Sequence, residues 1–274
     1  MMFNDAITDP QLRELAKQIN ADTGFDILQY KERPLKRRLA VRLRACQINT
    51  YQEYAQRLAQ DKTEYPKLLD ALTINVTNFY RNPETFKALT TKVMPLLANR
   101  YEQAQPLTIW SAGCSSGEEP YSLAILWREY SGGSGVNRPC RIIATDIDRQ
   151  SMEKAGQGVY DQNSMNEIPP ELIGKYFKPV SKNYILDEEI KNMVEYRHFD
   201  LLEPSPFTGL DLILCRNVLI YFSRQAQEFI FDSFKKSLRP GGFLVLGKVE
   251  TLFGPVKESF TPFDAKERIY QLNG

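Results

Sequence analysis

At 274 residues, with 42 % hydrophobic and 25 % charged side chains, the chain holds enough apolar material for one large α/β domain and a small second one. A formal net charge of +1 supplies no global field toward nucleic acid, and a single histidine, His198, excludes two-histidine zinc sites, histidine acid–base pairs and most catalytic triads. Four scattered cysteines without a C-x-x-C pair, no apolar run of the roughly 18 residues a membrane span needs, and an N-terminus unlike a secretory signal lead us to expect a cytoplasmic protein without bound metal or membrane insertion.

In chain order, Leu12, Leu15, Ala16 and Ile19 recur at helical spacing. Pro34 suits the first turn of a second helix with Leu35, Leu39 and Leu43 as its apolar stripe. Tyr51, Tyr54, Ala55 and Leu58, then Tyr65, Leu68, Leu69 and Leu72, repeat the pattern. Short helices without a strand pattern predict a helical domain over 1–86. Its second helix is basic. Between Arg33 and Gln52 lie six basic residues and no acid. On a helix Arg38 and Arg42 fall at i, i+4, and Arg37 and Arg44 at i, i+7, giving two exposed stripes suited to an acidic protein helix. Plain solvent or phosphates are the competing occupants. The segment 71–86 then places Asn75, Thr77 and Arg81 between these helices and the sheet domain. Ligand sites are common at such junctions, though a hydrogen-bonded linker explains these residues equally simply.

From residue 106 the pattern changes. Near-continuous apolar strands are predicted over 107–112, 140–146, 209–216 and 243–250, the last entered through a Pro-Gly-Gly turn at 240–242, with an edge strand over 267–272. Helices over about 118–130 and 224–238 alternate with them, as in a parallel sheet covered on both faces. The loop 131–139 is flexible by composition. Three segments within 160–198 predict a small antiparallel flap inserted in a sheet domain that spans 87–274.

Ligands of such sheets bind outside the carboxyl ends of the strands. The first strand stops at Ala112 and leads through a Gly/Ser loop into a helix opening with Glu118 and Glu119. A pyrophosphate wants a bare helix N-terminus, whereas two acids there repel phosphate and attract a cation. A simple preference of acids for helix N-termini is the alternative. Asp146 ends the second strand, where nucleoside-binding sheets hold ribose hydroxyls, and Asp148 caps the next helix. The third strand stops at Arg216 and Asn217, followed by Tyr221. His198 reads as a structural strand-end residue.

The segments LTINVTNFYRNPETF, WSAGCSSGEEPYSLA, ATDID, CRNVLIYF and LRPGGFLVLGKVETL, in this order, resemble the chemotaxis receptor methyltransferases, the CheR family. The resemblance runs over nearly the whole chain. It implies an N-terminal all-helical domain, a Rossmann-like class I methyltransferase sheet and a small inserted antiparallel β subdomain. It also implies methyl transfer from S-adenosylmethionine, leaving S-adenosylhomocysteine, to glutamates on the cytoplasmic helical domain of membrane chemoreceptors. By motif position, the cofactor-binding residues are Asn75, Thr77, Arg81, Ala112, Glu118, Asp146, Asp200, Leu201, Arg216, Asn217 and Val218. Arg81, Arg216 and Tyr221 are expected to position the reacting carboxylate, and Arg37, Arg38, Arg42 and Arg44 to recognise the receptor. Asp200 stands where the family usually has Asn, and Lys248 where His is frequent. A monomer is expected, with no nucleic-acid partner. A glutamate carboxylate is more than about 99 % ionised at neutral pH, so such chemistry needs no general base, which suits a chain short of histidine. A cofactor sensor without turnover and a nucleic-acid methyltransferase are the alternatives.

Overall fold

The computed structural model describes residues 7–73, 77–99 and 105–274. Two compact units emerge: Met1–Ile74 with Leu219–Phe229, and Asn75–Val218 with Ile230–Gly274.

The first unit carries α1 (Pro10–Thr23), α2 (Glu32–Ala45), α3 (Tyr51–Gln60) and α4 (Glu64–Leu72). Local chemistry sets their starts. Asp9 caps α1 by accepting from the Gln11 and Leu12 amides, with Pro10 in the first turn. Thr50 and Glu53 form a reciprocal capping box on α3. Leu12, Leu15, Ile19, Leu39, Tyr54, Leu58 and Leu68 are fully or almost fully buried, so the helical periodicity marks the core. Two of the four arginines expected on exposed stripes point inward. Arg38 is only 7 % exposed. Its guanidinium lies over the Tyr221 ring at 4.1 Å and donates to the Leu72 carbonyl, and burial lowers its pKa. Arg42 makes a bidentate pair with Glu64, at 2.9 Å from Nε and from Nη2. A helix this short packs one face entirely, and positions 38 and 42 share that face with Leu35 and Leu39. Arg37 and Arg44 are exposed.

The second unit begins with α5 (Pro83–Ala88), a π turn over Leu89–Val93 and α6 (Met94–Ala98). The sheet strands are β1 (Leu107–Ala112), β2 (Cys140–Asp146), β6 (Val194–His198), β7 (Leu210–Cys215), β8 (Leu238–Leu246), β9 (Phe260–Asp264) and β10 (Ile269–Leu272). Between them run α7 (Glu118–Ser134), α8 (Arg149–Gln157), α9 (Pro170–Tyr176), α10 (Glu188–Lys191) and α11 (Arg224–Ser237). The small strands β3 (Val159–Asp161), β4 (Phe177–Val180) and β5 (Asn183–Leu186) form a separate antiparallel sheet with β5 central. The large sheet has the order β6-β2-β1-β7-β8-β10-β9. Its pairs are parallel from β6 to β8, and β10 is antiparallel to both neighbours. This is the class I methyltransferase arrangement with a helical unit and a small inserted sheet.

Three details differ from the sequence reading. Residues 194–198 join the large sheet parallel to β2 instead of completing the flap, because the insert itself supplies the crossover a parallel pair needs. The segment 269–272 is internal, and β9 is the edge, where Pro262 is tolerated. Pro240 to Gly242 lie inside β8 instead of before it, at an irregularity where the pairing jumps from Leu210–Leu238 to Leu212–Phe243 and Gly241 has φ +69°. Leu212, Ile213 and Leu214 of β7 and Phe243, Leu244 and Val245 of β8 are wholly buried, so runs without alternation mark strands covered on both faces. Among the described residues no helix is long and apolar enough to cross a membrane.

Candidate active site

From β1 the chain works outward to β2 and β6, then returns to start β7 on the other side. The order therefore reverses between β1 and β7, and the crevice at their carboxyl ends is where such folds bind ligands. Ala112 ends β1, Asp146 ends β2, and Cys215 precedes Arg216 at the end of β7. The Gly113 and Cys114 amides both donate to the Thr145 carbonyl, at 2.8 and 2.9 Å, which pins the β1 loop to the β2 tip. Gly113 has φ +80°, and a Cβ there would lie 2.4 Å from a Val218 methyl. Only glycine fits beneath the loop after β7.

Two acids stand beside these strand ends, Glu118 at the start of α7 and Asp146 at the end of β2. Glu118, 3 % exposed, accepts from Ser116 Oγ at 2.7 Å and Ser164 Oγ at 3.1 Å. Burial raises its pKa despite these hydrogen bonds. Asp146 accepts from the Ser115 amide at 2.7 Å and the Asp148 amide at 3.0 Å, and burial raises its pKa as well. Among the described residues neither acid forms an ion pair.

Glu119, next to Glu118 but about 100° around the helix, does something else. It accepts from Ser111 Oγ at 2.9 Å and from Arg216 Nη1 at 3.2 Å. Arg216 Nη2 donates at 2.8 Å to both the Arg81 carbonyl and Asn82 Oδ1. Both terminal nitrogens are thus committed within the protein, whereas the sequence suggested a guanidinium turned to substrate. Arg216 Nε and Asn217 Oδ1 are buried with no hydrogen-bond partner among the described residues.

Arg81 sits between Tyr80 and Asn82, which have φ of +56° and +61°. A tyrosine in the left-handed region is held there by its surroundings. The Tyr80 amide donates to Ser122 Oγ at 2.9 Å and the Asn82 amide to Glu167 Oε2 at 2.9 Å. Asn217 is also left-handed, at φ +61°. Its amide and that of Gly247 donate to one oxygen of the buried Glu250, at 3.0 and 2.6 Å, joining the β7 and β8 tips.

Of the remaining expected residues, Thr77 is half-buried and Val218 half-buried, its methyls against Gly113. Asp200 accepts from the Leu202 amide at 2.9 Å, and Leu201 is buried. The preceding Phe199 amide donates to the Asp146 carbonyl at 3.1 Å. Asn75 lies outside the described residues. Tyr221 belongs to the first unit, where its carbonyl accepts from the Lys31 amide at 2.9 Å. His198 is exposed at the end of β6, bonded to Arg149 and to the Ile147 carbonyl, each at 3.1 Å. Glu167 and Glu250 escaped the sequence reading because no spacing announces them; Glu119 was visible only as a companion of Glu118.

Residues 75–269 match the family model described as CheR methyltransferase, SAM binding domain, and 10–73 match the CheR methyltransferase all-alpha domain. The chain belongs to the CheR methyltransferase family. A chemotaxis protein methyltransferase of Listeria monocytogenes is 33 % identical over 237 residues, 86 % of this chain and 88 % of that one. One from Salmonella typhimurium is 32 % identical over 265 residues, 92 % of this chain and 88 % of that one. An uncharacterized 104.1 kDa protein of Rhodobacter capsulatus is 32 % identical over 260 residues; the match takes in 95 % of this chain and 27 % of that longer protein.

The cofactor of this CheR methyltransferase is S-adenosylmethionine, and the donor set fits it. One buried and one half-buried acid, neither ion-paired among the described residues, suit a ligand carrying an ammonium and a sulfonium and no phosphate. The unpartnered Arg216 Nε and Asn217 Oδ1 offer one donor and one acceptor at the end of β7.

Proposed function

We propose that this methyltransferase forms methyl esters on glutamate side chains in the cytoplasmic helical domain of membrane chemoreceptors, as part of sensory adaptation. The observation that supports the reading is a pair of acids, Glu118 in the first turn of α7 and Asp146 at the end of β2, neither ion-paired among the described residues, with His198, the one histidine of the chain, bonded to Arg149 and the Ile147 carbonyl. Such a site can hold a cationic methyl donor, and it holds no obvious general base. A glutamate acceptor needs none, being ionised at neutral pH. The names of the Listeria and Salmonella relatives support chemotaxis as the setting.

When bound, the cofactor supplies an electrophilic methyl group on a sulfonium that departs as a neutral thioether. Glu118 would balance its positive charge, Asp146 would hold the ribose hydroxyls, and Asp200 with Leu201 would flank the adenine. Thr77, and on the resemblance to the family Asn75, would add contacts from the segment before Arg81. Arg81 orients the acceptor carboxylate. Alignment and exclusion of water by these groups are worth roughly 7–11 kcal/mol when the geometry is near attack. We assign Arg216 to holding the Arg81 backbone, since its two Nη atoms are already engaged. Tyr221 is a further candidate for contact with the acceptor, on the resemblance to the family.

The test is incubation of the chain with methyl-labelled cofactor and helical cytoplasmic fragments of chemoreceptors, followed by treatment with base. Label released as methanol, and lost when acceptor glutamates are changed to alanine, is the expected result. Tight cofactor binding with no label on any fragment would replace this reading by a sensor without turnover.

A further inference from the structure

The inserted β3-β5-β4 sheet and the segment carrying Arg81 meet at one carboxylate. Glu167 lies just beyond the short 3-10 turn Gln162–Met165 that leaves β3. Its Oε2 accepts from the Asn82 amide at 2.9 Å and its Oε1 from the Asn78 side-chain amide at 3.4 Å. Asn78 and Asn82 bracket Arg81, so one side chain spans the base of the arch. Beside it, the Phe79 amide donates to the Ser164 carbonyl at 3.0 Å. The Phe79 ring packs edge-on against Tyr160 of β3 at 4.7 Å and Phe177 of β4 at 5.0 Å. The same turn reaches the cofactor side, where Ser164 Oγ donates to Glu118. Arg216 grips the opposite flank through the Arg81 carbonyl and Asn82 Oδ1.

We propose that Glu167 is a positioning residue for Arg81, so that the inserted sheet helps to set the geometry of the reacting centre. The inference rests on the role proposed above for Arg81. Two left-handed residues, Tyr80 and Asn82, enclose Arg81, and such a conformation relaxes when its anchors are removed. Loss of the Glu167 carboxylate frees the Asn82 amide and the Asn78 side chain, so that on the Asn82 side of Arg81 the bonds from Arg216 remain while Tyr80 keeps its bond to Ser122. Arg81 then samples orientations in which its guanidinium no longer meets the acceptor.

A double-mutant cycle tests this. Glu167→Ala is expected to lower kcat about 10- to 100-fold, the scale of a misplacement of about 1 Å. It should move cofactor affinity, read by calorimetry, in the same direction as Arg81→Ala does. Combined with Arg81→Ala it should add no further loss, and amide exchange should quicken over 77–82 while the start of α7 stays protected. Glu167→Asp keeps the charge and shortens the reach, so it should give an intermediate loss in a fold that is undisturbed. The proposal is overturned if the two alanine effects multiply in full, or if Glu167→Ala and Glu167→Asp leave kcat, cofactor affinity and exchange unchanged. Wild-type kcat and affinity in Arg81→Ala would instead remove the role of Arg81 itself.

Discussion

The role proposed for Glu118 carries a cost in the ligand-free protein. Burial pushes its pKa up, because the ionised form is a desolvated carboxylate held only by the hydroxyls of Ser116 and Ser164. An acid whose folded-state pKa is raised binds protons better in the fold than in the unfolded chain. Its destabilising effect is therefore absent at low pH and complete above the raised folded value. A cationic ligand reverses the preference. Cofactor affinity should be full above the raised pKa values of Glu118 and Asp146 and weaken as pH falls through them, by up to about tenfold per pH unit for each group. Glu118→Gln should weaken binding about 10- to 100-fold and flatten the pH profile, yet raise the melting temperature of the ligand-free protein. Calorimetry across pH with thermal melts checks both; a Gln variant that binds as tightly as the wild type at neutral pH would refute the assignment. Arg216 behaves oppositely. Its side chain is 2 % exposed and paired with Glu119, which is 12 % exposed, so Arg216→Ala strands a half-buried acid and should cost stability, by up to about 3 kcal/mol. The Glu119→Ala, Arg216→Ala double variant should recover part of that loss in urea unfolding, which a pair of independent sites would not do.

At the scale of elements, the crevice depends on how closely the β1 and β7 loops approach. A Cβ on residue 113 meets Val218 at 2.4 Å and the backbone is at φ +80°, so two separate penalties bear on Gly113→Ala. We expect cofactor affinity to fall at least about tenfold. Val218→Ala in the same chain should restore the steric part and leave the backbone part, so calorimetry should show partial recovery; complete recovery would mean that φ strain contributes nothing. These elements also show what a sequence can disclose. The strands of β1, β2, β7 and β8 are legible because burial on both faces removes all alternation, and the strand ends at Ala112, Asp146 and Cys215 coincide with the points where polar residues resume. Glu118 and Asp146 are legible for the same reason. What stays hidden depends on contacts between distant residues. Helical spacing puts Arg38 and Arg42 in one row but does not say that the row faces Leu72 and Glu64. Glu167 and Glu250 act by accepting backbone amides from segments 85 and 33 residues away, and no local pattern encodes that. The segment 194–198 alternates like a flap strand, and only its parallel neighbour β2 identifies it.

For the molecule as a whole, a net charge of +1 hides a sorted distribution on α2. Lys36 pairs with Glu32 and Asp9, at 2.6 and 3.2 Å, Arg42 with Glu64, and Arg38 is buried. Arg33, Arg37 and Arg44 are exposed, and among the described residues none of the three forms an ion pair. They fall at i, i+4 and i+11, on one face, with Val41, 52 % exposed, between them. We propose that this face is the part of the basic helix that meets an acidic, helical partner, whereas Arg38 and Arg42 are part of the fold. Surface charges of this kind steer encounter and are screened within about 10 Å at 0.1 M salt. Changing Arg33, Arg37 and Arg44 together to glutamate should raise KM for receptor fragments about tenfold or more at low ionic strength. Because no buried bond is broken, kcat, cofactor affinity and melting temperature should hold. Added salt should raise the wild-type KM toward that of the variant, while the variant's own KM stays flat or falls. Equal KM values for the two proteins at low salt would show that receptors dock elsewhere and that this face is only solvated, and steep salt-dependent binding of RNA by the wild type would transfer the arginines to a different partner.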